Sequence, residues 1–389
     1  MVAVTPDSSP LARSPQVEAI VDLDAIAHNV GILRTHAGSA DVLVVVKADA
    51  YNHGAYEVAK TALAAGATAI GVTTVAEAVA LREAGIGAPI LCWLNTPDAD
   101  FTSAVSADIE IGVASTEHLR AVAAAARAVG EAATVSVKVD TGLNRNGASP
   151  NEYPHLLDEL VTLARHGTVR LRAIFSHLAV ADEPHNPTND LQRDRFIEAV
   201  DAAKARGLTP DLVHLANSAA TLTRPDLHFD LVRPGIAVYG LTPVPDIGDF
   251  GLIPAMTVRA RVALVKEVAA GEGVSYGHEW TAERDTTVAL LPIGYADGLP
   301  RALGGKFEVL LGGARRPSIG RVCMDQVVVD LGPDAAGVAA GDEAVLFGSG
   351  KNGEPTAQDW ATTLNTIHYE VVTGIRGRAV RNYVGGAVE

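Results

Sequence analysis

The sequence predicts an α/β fold: a (β/α)8 TIM barrel followed by a C-terminal mainly-β domain. Three observations carry this. At 389 residues the chain exceeds one ordinary domain and invites a split into two. From residue 20 to about 240, short β-branched runs alternate with longer Ala/Leu-rich amphipathic stretches, the mark of βα units around a parallel sheet. After about residue 250 the alternation gives way to short β-prone runs punctuated by Gly and Pro. The expected division is a loose Ser- and Pro-rich tail over 1–15, a barrel over 16–250 and a β domain over 251–389.

In the first region an amphipathic helix over roughly 24–36 precedes eight candidate strands. These are 42–47 (VLVVVK), 69–74 (AIGVTT), 89–94 (PILCWL), 109–114 (IEIGVA), 134–140 (TVSVKVD), 171–177 (LRAIFSH), 212–216 (LVHLA) and 231–238 (LVRPGIAV). Stretches such as 116–129 (TEHLRAVAAAARAV) and 188–206 show helical spacing between strands. Eight strands over that length suit a barrel, although counting alone also admits a doubly wound open sheet. In the second region 256–269, 286–293, 307–311, 325–331 and 343–347 read as strands of an all-β domain.

Composition narrows the function classes. The chain is 48% hydrophobic and 20% charged, with ample apolar surface for a large core. Its net charge of −15 argues against nucleic acid or an anionic membrane as the main partner, since those select basic surfaces. Two cysteines, Cys92 and Cys323, cannot build a disulfide framework. The first residues carry no apolar core of signal-peptide length, and no run offers about 20 uninterrupted apolar residues. A cytoplasmic protein is expected.

Common motifs fail on inspection. Gly271-Glu272-Gly273 opens like a dinucleotide fingerprint, but Tyr276 stands where the third glycine belongs, and the segment lies in the β-rich half. Neither Gly305-Lys306 nor Gly350-Lys351 has the flanking residues of a phosphate-binding P-loop. The twelve histidines include no HExxH and no spacing suited to a metal, so no metal is expected.

A barrel places its chemistry at the C-terminal ends of its strands. There the sequence has Lys47-Ala48-Asp49-Ala50-Tyr51, then Lys138 through Arg145, Ser176-His177, His214 through Ser218, and Val232-Arg233-Pro234-Gly235-Ile236. Lys47 stands out. It follows five apolar residues, where a lysine is costly unless paired or used, and desolvation makes its amine a plausible Schiff-base former. Taken alone, it reads equally as a lysine that snorkels out at a strand end.

The run VVVKADAYNHG resembles the pyridoxal-phosphate lysine signature of the alanine racemases. The likeness continues in order through KVDTGLNRNG, FSHLAVADE, HLANSAA, VRPGIAVYG, VSYG, LPIGYADG, RVCMDQ and HYEV. It covers essentially the whole chain from about residue 18. The resemblance implies a homodimer with shared active sites, pyridoxal 5′-phosphate as cofactor, and interconversion of L-alanine and D-alanine by two bases, supplying D-alanine for the bacterial cell wall.

By that resemblance Lys47 holds the cofactor. Tyr51, Ser218 and Tyr369 bind its phosphate through hydroxyls and Gly235 and Ile236 through backbone N–H groups, and Asn217 and His177 are further cofactor-binding residues. Arg233 faces the pyridine nitrogen, and guanidinium can only donate there. Racemisation needs a base on each face of a planar carbanion: Lys47 on one, Tyr276 from the second subunit on the other. A phenol ionises near ~10, so His177, backed by Arg233 and His214, is expected to help it. Arg145 orients the substrate carboxylate and the Met324 N–H donates to it. Lys138 matches a position often carbamylated, an anion that would brace Arg145. Asp325 lines the site from the second subunit, while Tyr295 and Tyr369 narrow the entrance. Seen singly, Ser218 would read as a helix cap, Arg233 as a rim salt bridge, and Tyr276 as a turn residue.

Two departures from the family pattern touch no assigned residue: Leu143-Asn144 and Ala179-Val180. Two other functions compete. A decarboxylase of the same barrel type would present a carboxylate to the pyridine nitrogen and use a cysteine near Cys323; Arg233 and the following Met324-Asp325 speak against it. A non-catalytic cofactor carrier would be a single barrel with no counterpart of Tyr276.

Overall fold

The computed structural model describes residues 15–386, so residues 1–14 of the expected tail lie outside the described residues. The chain forms two compact units. One runs Asp22–Ala255 and is rejoined by the chain from Val384; the other combines the segment ending at Val21 with Met256–Tyr383.

The chain opens with β1 (Val17–Asp22), α1 (Leu23–Ala37), β2 (Asp41–Val45), a left-handed turn α2 (Lys47–Asn52), α3 (Ala55–Ala64), β3 (Ala69–Val72) and α4 (Val75–Glu83). Then come β4 (Ile90–Cys92), α5 (Phe101–Ser106), β5 (Glu110–Val113), α6 (Thr116–Val129), β6 (Ala133–Lys138) and α7 (Tyr153–Arg165). The unit finishes with β7 (Val169–Phe175), α8 (Pro187–Lys204), β8 (Leu212–His214), α9 (Ser218–Thr223) and β9 (Leu231–Val232). Local signals set the helix limits. Asp22 accepts from Ala25 N at 3.0 Å to start α1, Ser115 starts α6, and Gly130, in the left-handed region at φ 83°, ends it.

The strands pair in parallel in the order β8-β7-β6-β5-β4-β3-β2-β9. A parallel bridge between Asn217 and Arg233 joins the two ends, reinforced by Arg233 N donating to Ala216 O at 2.9 Å. The ring closes, which removes the open-sheet alternative: closure satisfies the edge groups that a doubly wound sheet would expose. The strands are shorter than the expected runs. β2 stops at Val45, not at residue 47, and the run 231–238 is strand only at Leu231–Val232 before a 3-10 turn over Ile236–Tyr239. The same apolar residues serve a barrel strand and the rim that leaves it, so composition does not mark the exit.

The second unit contains β10 (Met256–Arg261), β11 (Leu264–Val268), β12 (Gly273–Val274), β13 (Trp280–Thr281), β14 (Thr286–Leu291), β15 (Glu308–Leu311) and β16 (Ala314–Ile319). It continues with β17 (Val327–Gly332), β18 (Glu343–Phe347), α10 (Ala357–Leu364), α11 (His368–Gly374) and β19 (Val380–Val384). Its main sheet has nine strands in the order β11-β14-β17-β16-β15-β18-β10-β1-β19. The first strand therefore corrects the expected barrel limit of residue 16. Val17 through Val21 pair antiparallel with Ala260 through Met256, and an antiparallel ladder captures the strand away from the parallel ring.

Two further expectations change here. The single run 256–269 splits into β10 and β11, and the unit is not all-β, since α10 and α11 close it. Trp360 of α10 is buried edge-on against Phe307 and Phe347, with ring centroids 5.5 Å and 5.1 Å away. That aromatic cluster anchors the helix beneath the sheet. Among the described residues no helix is long and apolar enough to cross a membrane.

Candidate active site

Lys47 leaves β2 in an unusual way. Ala48, Asp49, Ala50 and Tyr51 all have φ between 52° and 55°, and Asn52 has φ 67°, so the chain makes a left-handed helical turn with no glycine in it. Each such residue costs about 1–2 kcal/mol, so the turn persists only because its surroundings impose it. Ala50 and Tyr51 are buried. Ala50 N donates to Val46 O at 2.8 Å, Gly54 N to Asp49 O at 2.9 Å, and Ala55 N to the Asp49 carboxylate at 2.8 Å. Burial lowers the Lys47 pKa and the charge of Arg145 lowers it further, while Glu77 pulls it back up. The amine is thereby shifted toward its nucleophilic neutral form.

Across the barrel, Arg233 is the centre of a buried network. Its terminal nitrogens donate to His214 Nδ1 at 2.8 Å, Ser176 O at 2.6 Å, Leu215 O at 3.2 Å and His177 Nδ1 at 3.4 Å. Guanidinium has no acceptor, so both histidine Nδ1 atoms must accept, and each neutral ring carries its proton on Nε2. Burial and the neighbouring Arg233 charge hold both histidines well below their usual range. Burial brings Arg233 down to about 9, which still leaves it a cation at neutral pH. Phe175 floors this cluster: His214 stacks on its ring at 5.1 Å, with Arg233 Cζ 5.6 Å and Lys138 Nζ 5.7 Å from its centroid.

Beside the network, Ser218 begins α9 and its hydroxyl accepts from Gly235 N at 2.8 Å and Ala237 N at 3.4 Å. Asn217 caps the same helix, its side chain accepting from Ala220 N at 3.1 Å, so the capping role belongs to Asn217 and not to Ser218. A Cβ on Gly235 would collide with the Tyr51 hydroxyl. Only glycine lets this backbone approach so closely. Ile236 is fully buried behind it.

Lys138 ends β6, almost fully buried. Burial lowers its pKa to about 8, with Arg233, Arg145 and Lys47 each adding repulsion and Asp140 opposing them. Arg145 lies exposed in the loop after β6. The barrel mouth thus gathers Lys47, Lys138, Arg145 and Arg233 within mutual electrostatic reach, a strongly positive field in a chain of net charge −15. Such a field suits a phosphate dianion and a carboxylate.

In the second unit the expected residues cluster on interlocked turns. Tyr295 N donates to Cys323 O at 3.0 Å and Ala296 N to Met324 O at 3.0 Å. Ser275, next to Tyr276, donates to Arg321 O at 2.9 Å. Tyr276 is 71% exposed and Met324 53%. Asp325 pairs with Arg378 at 2.9 Å, and Tyr369 lies in α11 with its ring 5.2 Å from that of His368.

Sequence reasoning missed several supports. Tyr239 donates to Val45 O at 2.7 Å and its ring lies 4.8 Å from that of Tyr51, so it backs the turn carrying Lys47. Asp297, completely buried, accepts from Gly294 N at 3.1 Å and from Arg378 Nε at 2.8 Å, tying the Tyr295 turn to the C-terminal segment. The signal for Asp297 was present: an acid inside the Gly-flanked run GYADG. Phe175 and Tyr239 carried none, because an aromatic in an apolar run reads as core.

Comparison with known proteins agrees with this architecture. The family description "Alanine racemase, N-terminal domain" matches residues 21–243, and "Alanine racemase, C-terminal domain" matches 255–383. The chain is 58% identical over 382 residues to an alanine racemase of Mycobacterium leprae, covering 98% of each. It is 57% identical over 380 residues to one of Mycolicibacterium smegmatis, again covering 98% of each. The crystal structure of alanine racemase from D-cycloserine producing Streptomyces lavendulae superposes with a TM-score of 0.94 at 47% identity, covering 96% of this chain and 98% of that one. The chain belongs to the alanine racemase family.

Proposed function

We propose that this protein interconverts L-alanine and D-alanine with pyridoxal 5′-phosphate carried on Lys47, at active sites shared between two copies of the chain. The observation that carries this reading is the convergence of Lys47 with Lys138, Arg145 and Arg233 at one barrel mouth. The residues present fit the cofactor. Ser218 already accepts two backbone N–H groups and keeps its own O–H to donate to a phosphate oxygen, beside Tyr51 and the close backbone of Gly235 and Ile236. Tyr369 supplies a further hydroxyl and Asn217 holds α9 in register. Arg233, whose guanidinium can only donate, would face the ring nitrogen.

When bound, pyridoxal phosphate draws electron density from the substrate Cα, so that its hydrogen can leave as a proton. Lys47, released as a free amine once the substrate amine displaces it, would take that proton on one face of Cα, and Tyr276 would return one on the other; the reverse reaction would exchange their roles. His177 donates its Nε2–H to the Tyr276 oxygen, stabilising the phenolate, while Arg233 fixes the tautomer. Arg145 and the Met324 N–H hold the substrate carboxylate. Lys138, carbamylated, converts a repulsive cation into an anion that braces Arg145. Tyr295 and Tyr369 narrow the entrance, with Asp325 lining it, and so favour a small side chain.

Exposure supports the shared site. A base needs a water-excluded place to work, and Tyr276 and Met324 lie open to solvent on the isolated chain, which a second copy would cover. The D-alanine formed serves as a building block for the bacterial cell wall.

The test is direct. The purified protein should absorb near ~420 nm, as this cofactor bound to a lysine requires. Borohydride should fix the cofactor, with peptide mapping locating it on Lys47, and the optical rotation of L-alanine should fall to zero. An adduct on Lys138, or unchanged rotation, would defeat the assignment.

A further inference from the structure

We infer that Glu77 is a positioning residue for Lys47: its carboxylate holds the left-handed turn from which that lysine projects. This rests on Lys47 as the cofactor-bearing residue. In sequence, Glu77 reads only as the third residue of α4, closing a capping box with Thr74. The structure shows that box: Glu77 N donates to Thr74 Oγ1 at 3.2 Å, and Glu77 Oε2 accepts from Thr74 N at 3.0 Å and Thr73 N at 2.8 Å. One carboxylate oxygen is enough to complete the capping box. The other, Oε1, accepts instead from Ala48 N at 2.7 Å, the residue directly after Lys47.

That second bond answers a need the turn cannot meet itself. Val46 occupies the position before the turn and has no side-chain oxygen, so no cap bond forms there. The turn also lacks the glycines that would make its positive φ angles easy. Glu77 therefore pins an imposed conformation at its first N–H and ties it to the rim of the adjacent strand β3. Its negative charge also acts on the Lys47 amine, opposing burial and Arg145.

Three variants of the intact enzyme separate these roles: Glu77→Ala, Glu77→Gln and Glu77→Asp. Two readouts apply, release of pyridoxal phosphate on dilution and the pH dependence of adduct formation at Lys47 with added pyridoxal phosphate. Glu77→Ala should retain the cofactor about 10–100-fold less tightly, the change expected for one lost charge-assisted hydrogen bond. Glu77→Gln should move the pH profile to lower pH, because Lys47 loses the anion that favours its protonated form. Glu77→Asp should keep the pH profile yet release cofactor faster, its shorter side chain no longer spanning both loops.

Adding Ala48→Gly to Glu77→Ala should recover part of the retention, since glycine accepts a positive φ without support. Ala48 is exposed, so this change leaves the core untouched. Retention and pH profile both equal to the parent in Glu77→Ala and Glu77→Gln would overturn the inference. So would a loss of retention that Ala48→Gly does not relieve. Absence of any adduct at Lys47 in the unmodified chain would instead defeat the cofactor assignment, and that result is read before the variants are made.

Discussion

The two units treat their polar residues in opposite ways. The barrel buries Lys138, His214, Ser218 and Arg233 and gives them partners or neighbouring charges from several strands. The β unit presents Tyr276, Met324 and Tyr295 outward, fixing only the backbone beneath them. The barrel is preorganised: closure of eight strands forces unlike charges and like charges alike into one mouth, and their pKa values shift accordingly. The β unit is a platform, with rigid turns and free tips. On the proposed function these exposed residues act in a dry site, which an assembly of two chains would supply.

The sharpest way to break this contrast is to disable each side separately. Lys47→Ala should lower racemisation by about 10⁴-fold or more, and Tyr276→Phe by roughly 10²–10⁴-fold, the range for a lost general base. Mixed in equal amounts and allowed to exchange subunits, the two inactive chains should regain about a quarter of parental activity, since half the dimers carry one intact site. Proven exchange without recovery would show that the platform serves its own barrel.

A smaller effect tests whether the β unit is rigid below its exposed tips. Burial works against the Asp297 carboxylate, but the bonds from Arg378 and the Gly294 and Arg378 N–H groups outweigh it and hold it below the usual carboxylate range. Its contribution is thus present above the ordinary carboxylate pKa and lost as pH falls through the depressed one. Asp297→Ala should cost about 3 kcal/mol of stability, the low end for breaking a buried pair because Arg378 is half exposed. It should also impair turnover through Tyr295 and Met324 more than cofactor binding. Equal stability by denaturant titration would mean the carboxylate is dispensable.

The smallest effect concerns crowding of cations in the barrel. Lys138 titrates near about 8 when folded and near ~10.4 unfolded, so the cost of burying its charge is complete below pH 8 and relieved between those values. Freed of carbon dioxide, the parent should gain about 2 °C more in Tm than Lys138→Met on going from pH 8 to 10. Bicarbonate at pH 8 should supply a similar gain to the parent alone, by carbamylating the neutral amine. Identical responses in both proteins would remove Lys138 from this role.

Much of the architecture was legible along the chain. The β-branched runs marked each barrel strand because strands buried on both faces need continuous apolar sequence, and 116–129 was readable as a helix from its spacing and its Ser115 and Gly130 limits. β16 was not, because Arg315, Arg316 and Pro317 oppose a strand reading and only the flanking β15 and β17 impose one. The segment Val17–Asp22 fell inside the expected barrel limits for a related reason: a short apolar run does not say which sheet will pair with it.

The site divides along the same line. Sequence by itself determined which groups exist and their order: a lysine after an apolar strand, an arginine before Pro234-Gly235, a tyrosine between Ser275 and Gly277. Tertiary structure decided what those groups are chemically. The Lys47 amine is shifted because the barrel buries it beside Arg145, and both histidines are neutral because Arg233 can only donate to them. The left-handed turn after Lys47 is not dictated by its own residues, since Ala and Tyr disfavour it and only Asp49 and Asn52 tolerate it. It exists because Glu77, Tyr239 and the barrel wall supply from a distance the bonds and burial that the turn cannot supply for itself.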